Sequence, residues 1–416
     1  MSRLPALRSA WDRKELSTIR ETTLIWGILG ILFGIVLERS RFCFTTAFQE
    51  TMEFRNPWIL QGVFLFLGIS AVLMSVLTQF GIVQPAIDHQ GWFTVVGGFL
   101  FGVGIAMCGA CASGQLFRSG SGYVANWMEF IGAGLGGIVF ALFFYQQVEA
   151  PAVAATKAIT IWGALGIPPL AWGIISGGLL ILLAVYLRRF LPQKKAAQYK
   201  EKRFTFSLKQ PWHPYAGAVA LAVMTVVYVT LAEGVSMSVN TPNTLTIAWL
   251  VNFITQPFGL NLVSSPWFTQ GVVHGQVLSR LTPLDLNQFS YPHYGHHLGY
   301  VALGLWLFIP ITILGAFISS KIAGEFRLRV PGKPSKLLWY LVGGMIMGFG
   351  ASVALGCNIA AWSDSFAVRL DMSGMLFSVG LFPGVWFGTR LDEWVAERIW
   401  GFGRPAPKVV KKAPAD

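Results

Sequence analysis

Eight apolar runs, at 58–78, 95–117, 125–145, 159–187, 215–233, 297–320, 337–357 and 373–392, dominate the chain. Each is close to or above the roughly 20 residues that a helix needs to cross the hydrocarbon of a bilayer. So many runs of that length do not fit one water-soluble core. Only 12% of the residues are charged, against roughly 25% in a soluble domain. A backbone in lipid must satisfy its own N–H and C=O groups, and a helix does so within one segment. The sequence therefore specifies an all-α polytopic membrane protein. The net charge of +12 does not point to nucleic acid, because the basic residues gather between the runs: Arg3 to Arg20, Arg188 to Lys209, Lys321 to Lys336 and Arg404 to Lys412. That is the pattern of cytoplasmic loops and tails.

Two of the runs are copies of one another. GGFLFGVGIAMCGACASG covers Gly97–Gly114, and GGMIMGFGASVALGCNIA covers Gly343–Ala360. A shift of 246 carries Gly97, Gly98, Gly102, Gly104 and Cys111 onto Gly343, Gly344, Gly348, Gly350 and Cys357. The chain has only four cysteines, so a thiol at the same offset in both copies marks a duplicated unit. Gly98 and Gly102 lie one helical turn apart, as do Gly344 and Gly348, and each pair makes a smooth face that lets another backbone approach closely.

Loop charge sets the direction of the copies. The 79–94 loop carries Asp88 and His89 but no Lys or Arg, which places it outside; three crossings then reach the basic 188–209 loop inside. The second copy leaves the basic 321–336 loop and runs the other way. The expectation is two inverted-repeat halves with broken or re-entrant helices meeting at a central waist, where a binding site lies near the midplane. The boundaries are a cytoplasmic basic N-terminus (1–21), a first transmembrane half (22–187), a basic cytoplasmic linker (188–213), a second half (214–393) and a cytoplasmic basic tail (394–416). No cleavable signal is evident at the start of the chain.

Segment 22–55 departs from the pattern. Its apolar stretch Thr22–Leu37 is short for a crossing and runs into Glu38-Arg39-Ser40-Arg41. Charges there are costly unless they meet a partner or water. The segment reads as a broken or re-entrant hairpin, with Glu38 and Arg41 paired inside the protein to hold the break. With the N-terminus inside, 22–55 and 58–78 together must cross an odd number of times. Region 234–292 reads as irregular, and shifting Cys43 by 246 lands on Gln288 rather than on a cysteine.

The candidate chemistry lies in the thiols. Taken singly, a buried Cys is a small apolar filler. Cys111 and Cys357 are repeat-related, however, and Cys43 follows an Arg-Phe pair within an interrupted helix. In a dry pore a thiol is a weak, polarisable donor that holds a soft anion without trapping it. Cys108-Gly-Ala-Cys111 spells CxxC, but its flanks are transmembrane helix and not the βαβ context of a thioredoxin-like pair. A zinc site needs four ligands, and no second CxxC exists. A membrane thiol–disulfide or sulfur-transferring enzyme using Cys108 and Cys111 stands as the alternative of another class. His293, His296 and His297 read as interfacial hydrogen-bonding groups, so no metal and no cofactor is expected. Glu38, Arg39, Arg41 and Glu129 are the charges nearest the membrane interior; they either pair internally or draw an anion towards Cys43. No P-loop and no enzyme constellation is present.

Three stretches, LERSRFCFTTAFQE (37–50), GACASGQLFRSG (109–120) and GFGASVALGCNIAA (348–361), resemble the cysteine motifs of the YeeE/YedE membrane proteins, with similarity from about residue 24 to 392. The resemblance implies a two-half, inverted, hourglass-shaped transporter of the bacterial inner membrane, with short helices entering from both sides. It implies thiosulfate uptake, with a selenium compound or another sulfur species as the alternative substrate of the same fold. By motif it assigns Cys43, Cys111 and Cys357 as the substrate-contacting thiols that pass the ion along. Half-helix N-termini would add positive potential without a full charge. Cys108 departs from the family pattern, where a small non-thiol residue is usual, and Asp364 and Asp371 add negative charge near one mouth. The partners expected are the small sulfur-containing anion, the lipid bilayer and a cytosolic sulfur-carrier or rhodanese-like protein, with no nucleic acid.

Overall fold

The computed structural model describes residues 24–54, 57–83, 90–149, 151, 160–190, 206–231, 239–255, 258, 271–273, 276–278, 297–362, 365 and 372–400. In chain order the elements are α1 (24–40), α2 (Phe44–Phe54), α3 (Trp58–Gln79), α4 (Trp92–Cys108), α5 (Ala112–Gly120) and α6 (Val124–Phe143). A π-helical turn, Tyr145–Glu149, precedes α7 (Ile161–Leu165) and α8 (Pro169–Phe190). The second part holds α9 (Pro214–Leu231), α10 (Asn240–Thr255), a small antiparallel hairpin of β1 (Gly271–Val273) and β2 (Gln276–Leu278), α11 (His297–Ile322), α12 (Pro334–Val353) and α13 (Ser373–Arg398). Among the described residues, six helical stretches are long and apolar enough to cross a membrane: Trp58–Gln79, Trp92–Gly120, Val124–Phe143, Pro169–Leu187, Pro214–Leu231 and Pro334–Val353. This is a multi-pass helical membrane protein.

In lipid, helices gain little from hiding apolar surface and associate through close packing, which small residues permit. The two copied helices use their glycines in this way. Gly97 of α4 lies against Gly350 and Ala354, and Gly104 lies against Gly343 and Met347. As position rises along α4 it falls along α12, so the two helices cross antiparallel. The contact is reciprocal, since the shift of 246 turns Gly97–Gly350 into Gly343–Gly104. Gly98 and Gly102 face elsewhere, onto the backbone carbonyls of Phe377 and Leu381 in α13. Gly344 and Gly348 face the carbonyls of Glu129 and Ala133 in α6.

These outer contacts extend the duplication beyond what the sequence comparison found. Gly132 and Gly136 of α6 meet the carbonyls of Leu341 and Met345, while Gly380 and Gly384 of α13 meet those of Val95 and Phe99. Val95 and Phe99 correspond to Leu341 and Met345 by the shift of 246, but Gly132 and Gly136 correspond to Gly380 and Gly384 only by a shift of 248. A two-residue length difference between the copies hides the match.

The outer helices pack across the chain, early helices against late ones. Helix α1 runs parallel to α11: Gly30 rests on Ile311 and the Phe308 carbonyl, and Gly34 on Thr312 and Ala316. Helix α9 packs against α3, where Gly62 meets Pro214. Helix α8 lies antiparallel to α3 through Gly68 and Gly177 and leaves Ile174, Leu179, Leu182 and Val185 exposed.

Several expectations change here. The runs 95–117 and 337–357 are not continuous helices, because both stop before their cysteine. The break expected in segment 22–55 is present among its described residues, 24–54, where the helix is interrupted between 40 and 44, whereas the irregular region contains α10. The loops 206–213 and 323–333 share one end of the molecule: the Arg39 side chain bonds both the Leu208 carbonyl and Glu325. The chain leaves α13 at that same end, where Lys333 Nζ donates to the Trp400 carbonyl at 2.7 Å. Because α1 is parallel to α11, residue 24 stands at the opposite end. Segment 1–21, expected on the side of the basic loops, lies outside the described residues, as does most of the tail 394–416.

Candidate functional site

Each of the three motif cysteines follows the same backbone break. The residue two positions before it adopts a left-handed conformation: Arg41 (φ 52°), Gly109 (φ 66°) and Leu355 (φ 62°). Such a residue ends a helix by turning the chain so that following N–H groups reach back to the last carbonyls. Phe42 N–H accordingly donates to the Leu37 carbonyl at 3.4 Å, and Gly356 N–H to the Ala351 carbonyl at 2.9 Å. The cysteine then opens the next helical segment. The carbonyls of Cys43, Cys111 and Cys357 accept from the N–H groups of Ala47, Gln115 and Ala361 at 2.9, 2.8 and 2.7 Å. The first N–H groups of a helix have no partner within it, and the peptide dipoles add partial positive charge there. Each thiol thus sits at the electropositive end of a short segment inside the protein. At the corresponding place in the second half, the head of α10 carries buried Val239, whose carbonyl accepts from Asn243 N–H at 3.1 Å.

The structure brings two of the thiols together. Cys43 Sγ and Cys111 Sγ lie 3.4 Å apart, and Ser113 Oγ is 3.2 Å from Cys111 Sγ. Both cysteines are fully buried, Cys357 nearly so, and no cysteine is in a disulfide. The segment after Cys357 joins this neighbourhood through Trp362, whose ring packs edge-on against Phe44 at 5.6 Å and Phe48 at 5.4 Å. Cys108 points elsewhere. Its Sγ donates to the Tyr340 carbonyl at 3.4 Å and lies beside Gly343 in the α4–α12 crossing. In the other copy Ala354 fills the equivalent place beside Gly97. The two cysteines of the CxxC spelling therefore face different surroundings, Cys108 in the helix crossing and Cys111 beside Cys43.

One cation accompanies the thiol pair, and the sequence reading did not single it out. Arg118 Nη1 donates to the Gly109 carbonyl at 2.8 Å and Nη2 to Thr46 Oγ1 at 3.3 Å, tying the break in one helix to the start of α2. It forms no ion pair among the described residues, so its charge is available to an anion. The available signal was its position as the lone charge within GACASGQLFRSG. Buried polar atoms without a hydrogen-bond partner also follow the thiols: Thr45 Oγ1, Gln115 Oε1, and both Asn358 Nδ2 and Oδ1.

The charges of the first break do not pair as expected. Glu38 is held by Arg39, whose Nη2 donates to Glu38 Oε1 at 2.6 Å, and by Ser319 Oγ at 2.8 Å. Arg39 Nη2 also reaches Glu325 at 2.9 Å, while Arg41 is exposed and reaches Glu325 at 3.3 Å. A Glu38–Arg41 pair would need the helix to continue, but it ends at 40 and the left-handed turn at Arg41 directs that side chain outwards. Glu129 is wholly buried and accepts from Asn126 Nδ2 at 2.6 Å. His293, His296, Asp364 and Asp371 lie outside the described residues, and His297 begins α11. Among the described residues no group of His, Cys, Asp or Glu is placed to hold a metal ion.

The sequence is similar to those of proteins named as transporters. The thiosulfate transporter TsuA of Spirochaeta thermophila is 27% identical over 384 residues, covering 87% of this chain and 97% of that protein. TsuA of Escherichia coli is 25% identical over 380 residues, covering 88% and 93%. The probable transporter YedE of Escherichia coli is 28% identical over 173 residues, 40% of this chain and 42% of its own. These relatives are named as transporters and not as enzymes, in line with the expectation from the sequence. The sequence model of the family described as "Sulphur transport" matches residues 39–387, and the chain belongs to that family.

Proposed function

We propose that this protein takes up a small sulfur-containing anion, thiosulfate first, by passing it between the thiols of Cys43, Cys111 and Cys357. The observation that carries the reading is the recurrence of one break three times, each with a buried thiol at the head of a short helical segment. Thiol donors are weak, so a soft anion is held at each stop by modest interactions and released to the next. Helix N-termini and Arg118, which forms no ion pair among the described residues, offset the cost of bringing negative charge into a low dielectric. The close approach of Cys43 and Cys111, at 3.4 Å, suits hand-over between them. A thiol–disulfide enzyme on Cys108 and Cys111 gains no such support, since Cys108 faces Tyr340.

The two halves, 22–187 and 214–393, stand in inverted orientation across a bacterial inner membrane, consistent with the antiparallel crossing of α4 and α12. The end carrying 206–213 and 321–336 is cytoplasmic by its positive charge. The end of α13 shares that side, and residue 24 lies on the other. A cytosolic sulfur-carrier or rhodanese-like protein would receive the ion.

The test is uptake of radiolabelled thiosulfate into proteoliposomes. Wild type accumulates label, and Cys111→Ala and Cys357→Ala each abolish or strongly reduce uptake while the purified proteins stay folded. Removal of one buried sulfur as packing alone would give only a modest stability loss. Full transport by both variants would refute the relay.

A further inference from the structure

The two copies differ at the residue immediately after the thiol. The shift of 246 pairs Ala112, the first residue of α5, with Asn358. Asn358 is 1% exposed, yet neither its Nδ2 nor its Oδ1 has a hydrogen-bond partner among the described residues. An amide buried without partners is destabilising. The fold does not demand it, because the first copy occupies the same position with a methyl group. A buried polar side chain in this condition answers to a water, an ion or a ligand. Two further buried atoms without a hydrogen-bond partner among the described residues lie close after the other thiols, Thr45 Oγ1 two positions after Cys43 and Gln115 Oε1 four after Cys111.

We propose that Asn358 binds the oxygen end of the transported anion, its Nδ2 hydrogens donating to S–O oxygens while the Cys357 thiol contacts sulfur. This rests on the sulfur-anion reading above. A sulfur oxyanion has two chemically distinct ends: hard oxygens that accept strong hydrogen bonds, and, in thiosulfate, a soft terminal sulfur. Thiols alone separate such an ion poorly from bisulfide, which carries no oxygen. A site built to donate to oxygen rejects the ligand that lacks it, because its own buried donor is then left unpaired. The amide is neutral, so it adds selectivity without adding a charge that would hold the anion.

The experiment is thiosulfate uptake by proteoliposomes of wild type, Asn358→Ala and Asn358→Asp, with thermal unfolding of each protein free of thiosulfate. Asn358→Ala installs the residue of the first copy. The expected result is a rise in KM of roughly ten- to hundredfold, the loss of one hydrogen bond to a charged ligand. It comes with an unchanged or raised Tm, because the unpaired amide is gone, and with weaker discrimination against bisulfide as a competitor. Asn358→Asp, similar in shape but carrying negative charge, transports less than the Ala variant. An unchanged KM in Asn358→Ala overturns the proposal. A lowered Tm with unchanged KM overturns it too, and assigns the amide to a structural water. Should Asn358→Ala fail to fold, an unchanged KM in Asn358→Asp overturns it equally. Absence of thiosulfate uptake by wild type would instead refute the transport reading itself.

Discussion

The break at Gly109–Cys111 and the break at Leu355–Cys357 reach one geometry by different routes. Both place a left-handed residue two positions before the thiol, and both put the cysteine at the head of a new helical segment. The first copy uses glycine, which adopts that conformation without steric penalty. The second uses leucine, for which it costs about 1–2 kcal/mol. The residues before the break differ as well: Cys108 fills the helix crossing in one copy and Ala354 in the other. The shared part is the backbone course and the thiol. Strain retained at Leu355 without a glycine to relieve it indicates that the turn is fixed by its surroundings, as at sites under functional constraint.

Four substitutions probe how equivalent the two copies are. The largest effect is expected at the close helix contacts. Gly102→Val and Gly348→Val each drive a side chain into a neighbouring backbone, at Leu381 and Ala133 respectively. Each should cost about 3 kcal/mol or more, seen as lost expression or a lower Tm in detergent. Tolerance of one and not the other would break the equivalence. Next is Gly109→Leu, which copies the second break into the first. A Cβ at Gly109 meets nothing within 4 Å, so only the left-handed backbone opposes it, at about 1–2 kcal/mol, and uptake should persist. The smallest is Cys108→Ala, which copies Ala354 and should shift stability by less than about 1 kcal/mol, with uptake unchanged. Uptake lost in Cys108→Ala but kept in Cys357→Ala would revive the enzyme alternative.

The membrane class, the glycine faces and the match of Cys111 with Cys357 were legible in the sequence because periodicity and the 246 shift are local or nearly so, whereas Cys43 stood out only by its place after the charged run and by the family motif. The break in 22–55 was read from its charges, but the positions of the breaks before Cys111 and Cys357 were not. The runs 95–117 and 337–357 stay apolar through their interruptions, and of the two turning residues only Gly109 is a recognisable helix stop. The second glycine set escaped because Gly132 and Gly136 match Gly380 and Gly384 only after a two-residue change of register. The place of Cys43 in the second half fell at Gln288 by arithmetic and at Val239 by element order, because the connection after α10 is much longer than that after α2. Arg39 was passed over in favour of Arg41, since helical spacing sets Arg41 over Glu38 and nothing local announces that the helix ends first.

The packing of early helices against late ones bears on how the protein is made. Trp26 and Phe33 of α1 pack on Tyr228 and Phe308, and Gly34 on Thr312, all in the second half. Helix α11 begins at residue 297, so 273 residues must follow residue 24 before that partner starts to emerge. At synthesis rates of roughly 5–20 residues per second, α1 precedes α11 by about 14–55 s. Helix α1 finds these partners only in the later part of the chain, so a fragment that ends after the basic linker lacks the surface on which α1 packs.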